Sequence, residues 1–151
     1  MTNIGELCSR EVIVVTRETG IPDAAELMRR YHVGTLVICE PLGKERRKPV
    51  GIATDRDLVL EVLALRLQAE TLAVGDIMVQ ELVTARDTDG VRETLEIMRQ
   101  KSVRRVPVTA ADGSLVGLLS MDDLLDAMAE DLTDIARIIS RGQSREAAIR
   151  R

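Results

Sequence analysis

Two short segments of this chain carry a glycine, a hydroxyl and a carboxylate at the same spacing: Gly51-x-x-Thr54-x-x-Asp57 and Gly117-x-x-Ser120-x-x-Asp123. Each follows a short apolar run and precedes a helical pattern, so each stands at a strand-to-helix turn. Free backbone N–H groups at a helix N-terminus favour a phosphate, which a neighbouring hydroxyl can also contact. A carboxylate suits the two hydroxyls of a ribose. These residue types therefore predict a nucleotide site.

The same spacing also has a purely structural interpretation. A Ser or Thr followed three residues later by an acid forms a capping box, in which each side chain satisfies an orphan N–H group of the helix end. The glycine favours the binding hypothesis, because it lets another group approach the backbone closely. Duplication of the segment favours it too. Both interpretations stay open from the residues alone.

The duplication extends along most of the chain. A shift of 70 positions superimposes residues 4–38 on the second half, and a shift of 66 superimposes residues 50–57 on residues 116–123. An internal repeat of this kind indicates one structural unit that was built twice and packs against itself. The identical pairs at the larger shift include Gly5 with Gly75, Glu11 with Glu81, Gly20 with Gly90, and Met28 with Met98.

Each half has the pattern of strand, helix, strand, strand, helix, which predicts an α/β (α+β) fold. Short β-branched runs mark the strands, and apolar residues at i, i+3, i+4 and i+7 mark the helices. The first helix of each half begins near Thr19 or Asp89, which we expect to cap it. The predicted strands are 12–15, 35–39 and 50–53 in the first half, and 105–108 and 115–119 in the second.

Two features break the symmetry. Between its last two strands the first half has a basic segment, residues 41–49, that is four residues longer than its counterpart, and we expect a solvated loop. Past residue 129 apolar residues keep helical spacing, which predicts an extra helix that packs on the module or on a second copy. Residues 137–151 contain five arginines and one glutamate, and we expect a frayed, solvated terminus rather than a nucleic-acid arm.

Composition excludes several classes of function. Tyr31 is the only aromatic residue and the net charge is −4, so aromatic stacking platforms and a broad nucleic-acid surface are absent. No apolar run approaches a membrane span and no export signal precedes the first repeat. Cys8 and Cys39 are isolated and His32 is the only histidine, which predicts buried thiols, a reducing cytoplasm and no metal site.

The doubled pattern, in which each unit closes with Gly-x-x-Thr/Ser-x-x-Asp, resembles a tandem pair of cystathionine-β-synthase (CBS) domains, the Bateman module, of the stand-alone bacterial type. The resemblance covers roughly residues 4–129. It implies pseudo-two-fold symmetry and two clefts that often bind AMP, ADP, ATP or related adenosine compounds. It also implies that two modules pair through their helices into a homodimer. Candidates for that contact, or for packing within the chain, are Leu58, Val62, Leu124 and Met128.

The resemblance also assigns site residues, one position at a time. Asp57 and Asp123 would accept the ribose hydroxyls, and Thr54 and Ser120 would lie near the phosphate. Gly51 and Gly117 stand just before the two turns. Arg104 and Arg105 match the family position whose basic side chains reach phosphates. The residues at the matching positions of the first half are Gly34 and Thr35. Because the basic pair is not duplicated, we expect two clefts of unequal use.

The leading hypothesis is a non-catalytic, cytoplasmic sensor of adenine nucleotides that signals to an unknown partner protein and requires no cofactor. The alternatives are a structural or dimerisation module with vestigial sites, nucleic-acid binding through the basic tail, and a small nucleotide hydrolase or transferase, for which the sequence offers no catalytic cluster. We expect one cooperative module with four segments: a first repeat 1–66, a linker 67–73, a second repeat 74–129, and a C-terminal helix and tail 130–151.

Overall fold

The computed structural model describes residues 2–79 and 81–150, which form two three-stranded sheets and six α-helices. The strands are β1 Val14–Val15, β2 Thr35–Pro41, β3 Arg47–Thr54, β4 Ala85–Arg86, β5 Arg105–Thr109 and β6 Leu115–Ser120. The helices are α1 Ile4–Leu7, α2 Ile21–Tyr31, α3 Asp55–Leu58, α4 Val74–Ile77, α5 Val91–Lys101 and α6 Met121–Ile149.

The two sheets have the same topology, which confirms the predicted α/β fold of two β-α-β-β-α units. In each unit the first strand runs parallel to the second, and the second pairs with the third as an antiparallel hairpin. The register repeats as well, because Val15 lies opposite Ile38 in one sheet and Ala85 lies opposite Val108 in the other. A parallel pair needs a crossover connection, and the amphipathic helices α2 and α5 supply it.

The two halves exchange their first helices. α1 precedes the first unit in sequence but binds the second, where the Gly5 N–H donates to the carbonyl of Asp87 at 3.0 Å. α4 precedes the second unit and binds the first, where the Gly75 N–H donates to the carbonyl of Arg17 at 2.9 Å. Each half of the chain therefore completes the other half's fold.

Each unit has its own apolar core, and the exchanged helices reach into it. Ile4 is fully buried in the core of the second unit, among Val106, Val108 and Leu119. Val74, the equivalent residue at the shift of 70, is fully buried in the core of the first unit. These cores contain no aromatic side chain and are filled by aliphatic residues and methionine.

Helix α6 differs from the expectation. It begins at the end of β6 and continues without a break for 29 residues, so the predicted extra helix is the second half of one long helix. The expectation of a frayed tail is wrong through Ile149, because the residues up to that position are helical. In the first half, α3 continues only as a π-helical turn, Val59–Leu63. No helix in the described part of the chain combines the length and apolar character that crossing a membrane requires.

Two further expectations change. Leu58, Val62 and Leu124 are buried inside their own cores, so they are not available for a contact between copies, whereas Met128 is about half exposed. The N-caps of α2 and α5 are glycines without a side-chain cap, not the expected Thr19 and Asp89. Those two side chains instead accept hydrogen bonds from backbone N–H groups in the preceding turns.

Candidate functional site

Both strand-to-helix turns contain a complete capping box. In the first half the Asp57 N–H donates to Thr54 Oγ1 at 3.1 Å, and the Thr54 N–H donates to Asp57 Oδ2 at 2.9 Å. The structural interpretation of this segment is therefore confirmed. It does not exhaust the chemistry of these side chains, because the cap uses one carboxylate oxygen of Asp57 and only an acceptor lone pair of the Thr54 hydroxyl.

The second half has the same box with one added bond. The Ser120 N–H and the Ser120 hydroxyl both donate to Asp123 Oδ2, at 2.9 and 3.0 Å, and the Asp123 N–H donates to Ser120 Oγ at 3.3 Å. The hydroxyl proton of Ser120 is thus engaged, whereas no described bond uses that of Thr54. In both boxes Oδ1 of the aspartate takes no part in the cap, so it is left to accept hydrogen bonds from a ligand.

The glycines at the two turns are approached closely, and the approaching groups belong to the protein. A Cβ added to Gly51 would lie 2.7 Å from Met78 Sδ, at the end of the exchanged segment that carries α4. A Cβ added to Gly117 would collide with the Ser9 carbonyl oxygen and lie 2.8 Å from Cys8 Sγ. Both glycines are buried, and the atom nearest to each added Cβ belongs to the opposite half of the chain.

A cavity of about 230 Å³ lies between the two halves and collects four of the predicted site residues: Thr35, Arg105, Ser120 and Asp123. Gly34 and Leu118 also line it. Arg105 lies directly opposite Ser120 in the β5–β6 register, so the two strands present the guanidinium and the capping box side by side. One half contributes the β2 start and the other contributes the β6–α6 turn, so the cavity exists only where the two units meet.

The other predicted residues lie elsewhere. Arg104 lines a different cavity, of about 600 Å³, between α5 and the start of α6. It lies in the bend before β5, whereas Arg105 is the first residue of that strand, and the two side chains line different cavities. Thr54 and Asp57 occupy the pseudo-symmetric turn of the first half, 66 positions before Ser120 and Asp123.

The cavity also has walls to which sequence reasoning gave no role. They come mainly from the extended segment before β1, which reaches the second unit after α1: Ser9, Glu11, Val12 and Ile13, with Val33 from the other side. Ser9 bonds Leu118 through both its N–H and its carbonyl, each at 2.9 Å. Glu11 aligns with Glu81 in the repeat, and this match is the signal in the sequence that could have identified the segment as part of the site.

Both cysteines are buried free thiols, as expected. Burial raises the pKa of Cys39 to about 11 against the weak opposing effect of Arg47, and burial likewise raises the pKa of Cys8. Both thiols are therefore neutral at physiological pH, which suits a packing role. A reducing compartment stays a prediction. Among residues 2–79 and 81–150, no group of three or more His, Cys, Asp or Glu side chains is placed to hold a metal ion.

Comparison with known proteins supports the resemblance. The family model of the CBS domain matches residues 4–64 and 74–130. An uncharacterized protein of Methanopyrus kandleri is 32% identical over 123 residues, which is 82% of this chain, and the chain spans 61% of that relative's length. The uncharacterized protein YlbB of Bacillus subtilis is 30% identical over 150 residues, 97% of each chain.

A crystal structure of a CBS domain pair in complex with 5′-methylthioadenosine and S-adenosyl-L-methionine has the same fold. Its TM-score is 0.71 at 23% identity, and the match covers 84% of this chain and 99% of that chain. The two matched segments make up more than half of this chain, and each contains one three-stranded unit. The protein therefore belongs to the CBS domain family and carries two CBS domains in tandem.

Proposed function

We propose that this protein is a non-catalytic regulatory module that binds an adenosine-type ligand in the cavity between its two halves and signals to a partner protein. The observation that carries the proposal is the cavity itself, which brings Thr35 of one half together with Arg105, Ser120 and Asp123 of the other. A ligand there contacts both units at once.

The chemistry of the lining supports a nucleoside with a negatively charged tail. The free Oδ1 of Asp123 can accept hydrogen bonds from the ribose hydroxyls, and the Arg105 guanidinium can bind a phosphate or a carboxylate. Val12, Ile13 and Val33 provide aliphatic walls for a flat base. The volume of about 230 Å³ is below that of a typical ligand pocket, so a phosphate tail extends toward the open side.

The crystallised CBS pair with bound 5′-methylthioadenosine and S-adenosyl-L-methionine supports the ligand class. Its identity of 23% establishes a shared fold only, so the adenosine ligand of that protein enters here as part of the proposal. AMP, ADP and ATP belong to the same class. The net charge of the tail distinguishes these three nucleotides from S-adenosylmethionine. The guanidinium of Arg105 favours the ligands whose tail is a phosphate chain.

The two turns are not equivalent, and we propose that they are used unequally. Arg105 lies in the cavity with Ser120 and Asp123, where the first half contributes the uncharged Gly34 and Thr35. The pseudo-symmetric turn with Thr54 and Asp57 lies outside this cavity, and Arg104 lines a separate one. The hydroxyl proton of Thr54 takes part in no described bond, but Arg105 lies with the other turn, so we expect the negatively charged tail of the ligand to bind beside Ser120 and Asp123.

Regulation follows from the position of the cavity at the junction. A ligand that contacts both halves stabilises one relation between them, and a partner that prefers this relation binds more tightly when the ligand is present. By linkage the partner raises the affinity for the ligand by the same factor. This mechanism requires the two halves to act as one cooperative module, with the repeats 1–66 and 74–129 and the linker 67–73 as its parts.

Isothermal titration with AMP, ADP, ATP and S-adenosylmethionine tests the proposal. We expect Asp123→Ala to weaken binding by roughly 10- to 100-fold, because hydrogen bonds to a charged group are lost. Asp76→Ala is the matched control. It removes a capping carboxylate with the same 2.9 Å bond to a backbone N–H, but at α4 and outside the cavity.

The outcomes separate the alternatives. Equal loss of affinity in Asp123→Ala and Asp76→Ala would assign the effect to helix stability and contradict the site. Binding that Asp57→Ala abolishes and Asp123→Ala leaves unchanged would move the ligand to the pseudo-symmetric turn. No heat with any of the four compounds would favour a structural module whose sites are vestigial.

A further inference from the structure

Helix α6 carries an exposed apolar stripe from Leu125 to Ile139. Its members recur at alternating intervals of three and four residues, which is the a/d spacing of a coiled-coil seam. They are Leu125, Met128, Leu132, Ile135 and Ile139; the next two positions of this spacing hold Gly142 and Glu146, and Ile149 follows at the third. Their exposed fractions run from 49% for Met128 to 72% for Ile149, so the stripe faces solvent in the single chain.

The stripe continues beyond the CBS repeat. The second family match ends at residue 130, and the helix extends from there to Ile149, a length of roughly 28 Å. Every residue from 129 to 149 is exposed, so nothing in the described part of the chain covers this segment. Contiguous apolar surface of this kind on a single chain indicates an interaction site.

The charges along α6 are segregated by sign. Carboxylates occupy the first half of the helix: Asp122, Asp123, Asp126, Glu130, Asp131 and Asp134. The second half holds Arg137, Arg141 and Arg145 with one carboxylate, Glu146, and Arg150 follows as the C-cap. Asp131 and Arg145 lie in the positions just before Leu132 and Glu146, at the edge of the seam. They are fourteen residues apart, which is roughly 21 Å along the helix, so they cannot pair within one copy.

We propose that α6 binds α6 of a second copy of this chain in an antiparallel pair. In the register that centres on residue 137, Ile135 packs against Ile139 of the second copy, and Asp131 lies beside Arg145 of the second copy. By symmetry each contact forms twice. The acidic half of each helix then lies along the basic half of the other, and the two helix dipoles oppose each other favourably.

A parallel pair of α6 helices would not bring oppositely charged residues together at the seam. At a parallel seam Asp131 would face Ala136 of the second copy, and Arg145 would face Arg150, a like-charged residue. The two basic halves would also lie side by side over four arginines each. Charge complementarity therefore selects the antiparallel arrangement.

The antiparallel register also fills an existing groove. Leu125 lines the cavity of about 600 Å³ between α5 and the start of α6, together with Leu95, Met98 and Val103. In the proposed register Ile149 of the second copy lies opposite Leu125, so the most exposed residue of the stripe enters this apolar groove. The same alignment places Leu132 opposite Gly142 and Met128 opposite Glu146, so its apolar contacts between copies are those of Leu125, Ile135, Ile139 and Ile149.

A charge-swap cycle on the full chain tests the orientation. The dimer dissociation constant is measured by sedimentation velocity for the wild type, Asp131→Arg, Arg145→Asp and the double variant. We expect each single variant to weaken the dimer by roughly 10-fold, because two attractive contacts become repulsive, and the double variant to restore it. Because the two residues are too far apart to interact within a helix, restoration reports a contact between copies.

A second experiment tests the seam. We expect Ile135→Glu to raise the dissociation constant by roughly 100-fold or more, since both copies bury this side chain. Ser144→Glu is the control on the opposite, polar face and leaves the dimer intact. In a mixture of Asp131→Cys and Arg145→Cys chains, mild oxidation yields the mixed disulfide.

Three results would overturn the proposal. The first is a wild-type protein that stays monomeric at all accessible concentrations. The second is a dimer that tolerates Ile135→Glu, which would place the contact on another surface such as the exposed Val59, Leu60 and Leu63. The third is a set of disulfides between like chains only, which would indicate a parallel pair. None of these readouts depends on nucleotide binding.

Discussion

The last helices of the two halves begin in the same way and end differently. Both start with a hydroxyl and an aspartate in a capping box, just after a glycine that an exchanged segment covers. α3 then lasts four residues and gives way to the π-helical turn Val59–Leu63, whereas α6 continues for 29 residues. The shared start lies at the junction of the halves, and the different ends lie outside it.

This comparison shows where pseudo-symmetry is required. At the junction each half packs against the other, so a change in one needs a matching change in its partner, and the spacing of Gly51 to Asp57 is kept in Gly117 to Asp123. Away from the junction that requirement is absent. The first half turns back after Arg66, a non-glycine residue at a positive φ of 56°, toward α4. The second half is free to extend into solvent.

The largest expected effect comes from the exchanged helices. Ile4→Ala should lower the free energy of unfolding by about 2–5 kcal/mol, because the side chain is fully buried in the second core. Val74→Ala, the equivalent change in the first core, should cost about 2 kcal/mol, because fewer buried carbons are removed. Urea denaturation followed by circular dichroism measures both.

The same measurement tests whether the halves unfold together. Fluorescence of Tyr31, the only aromatic residue, reports on the first half, while the helical circular dichroism is dominated by α6 of the second. In one cooperative module the two probes give the same midpoint in Ile4→Ala, although the substituted core belongs to the second half. Separate midpoints would mean that the exchange of α1 and α4 does not couple the halves.

A smaller effect distinguishes the two glycines. Gly117→Ala should cost about 1–3 kcal/mol, because the new Cβ meets the backbone carbonyl of Ser9, which the strand pairing holds in place. Gly51→Ala should cost less, since its Cβ meets the end of the Met78 side chain, which can rotate away. Urea midpoints of the pair give the difference. Equal costs would show that the two junctions are packed alike.

Much of this fold was predictable from local patterns. The order of strands and helices along the chain and both capping boxes follow from short-range spacing, which the repeat allowed us to check twice. Helical spacing past residue 129 was also predicted, but as a separate helix and not as the continuation of α6. Thr35, Arg105, Ser120 and Asp123 are four of the nine residues predicted to bind a nucleotide, and the structure brings these four into one cavity. That they bind a nucleotide stays a prediction.

The remaining features depend on tertiary packing. The repeat aligns Ile4 with Val74, but no local pattern says that either side chain enters the core of the other half, so the exchange of α1 and α4 was not predicted. The sequence predicts that the two glycines leave room for a ligand. In the structure, the atom nearest to an added Cβ at each glycine belongs to an exchanged segment. The sequence predicts a basic pair at Arg104 and Arg105, but the chain bends just before β5 and the two side chains line different cavities.

The smallest expected effect concerns the hairpins, where the halves differ most. In the tight turn of the second half, the Ser114 hydroxyl and N–H hold the pKa of Asp112 low, at about 2, with a further contribution from Arg46 of the longer first-half loop at 2.6 Å. The unfolded chain takes up this proton first, so the stabilising contribution is present above pH 4 and is lost as the pH falls through 2. We expect NMR titration of the carboxyl carbon to show a pKa that stays low in Arg46→Ala and rises in Ser114→Ala. A larger rise in Arg46→Ala than in Ser114→Ala would mean that the ion pair between the halves, and not the local turn, controls this carboxylate.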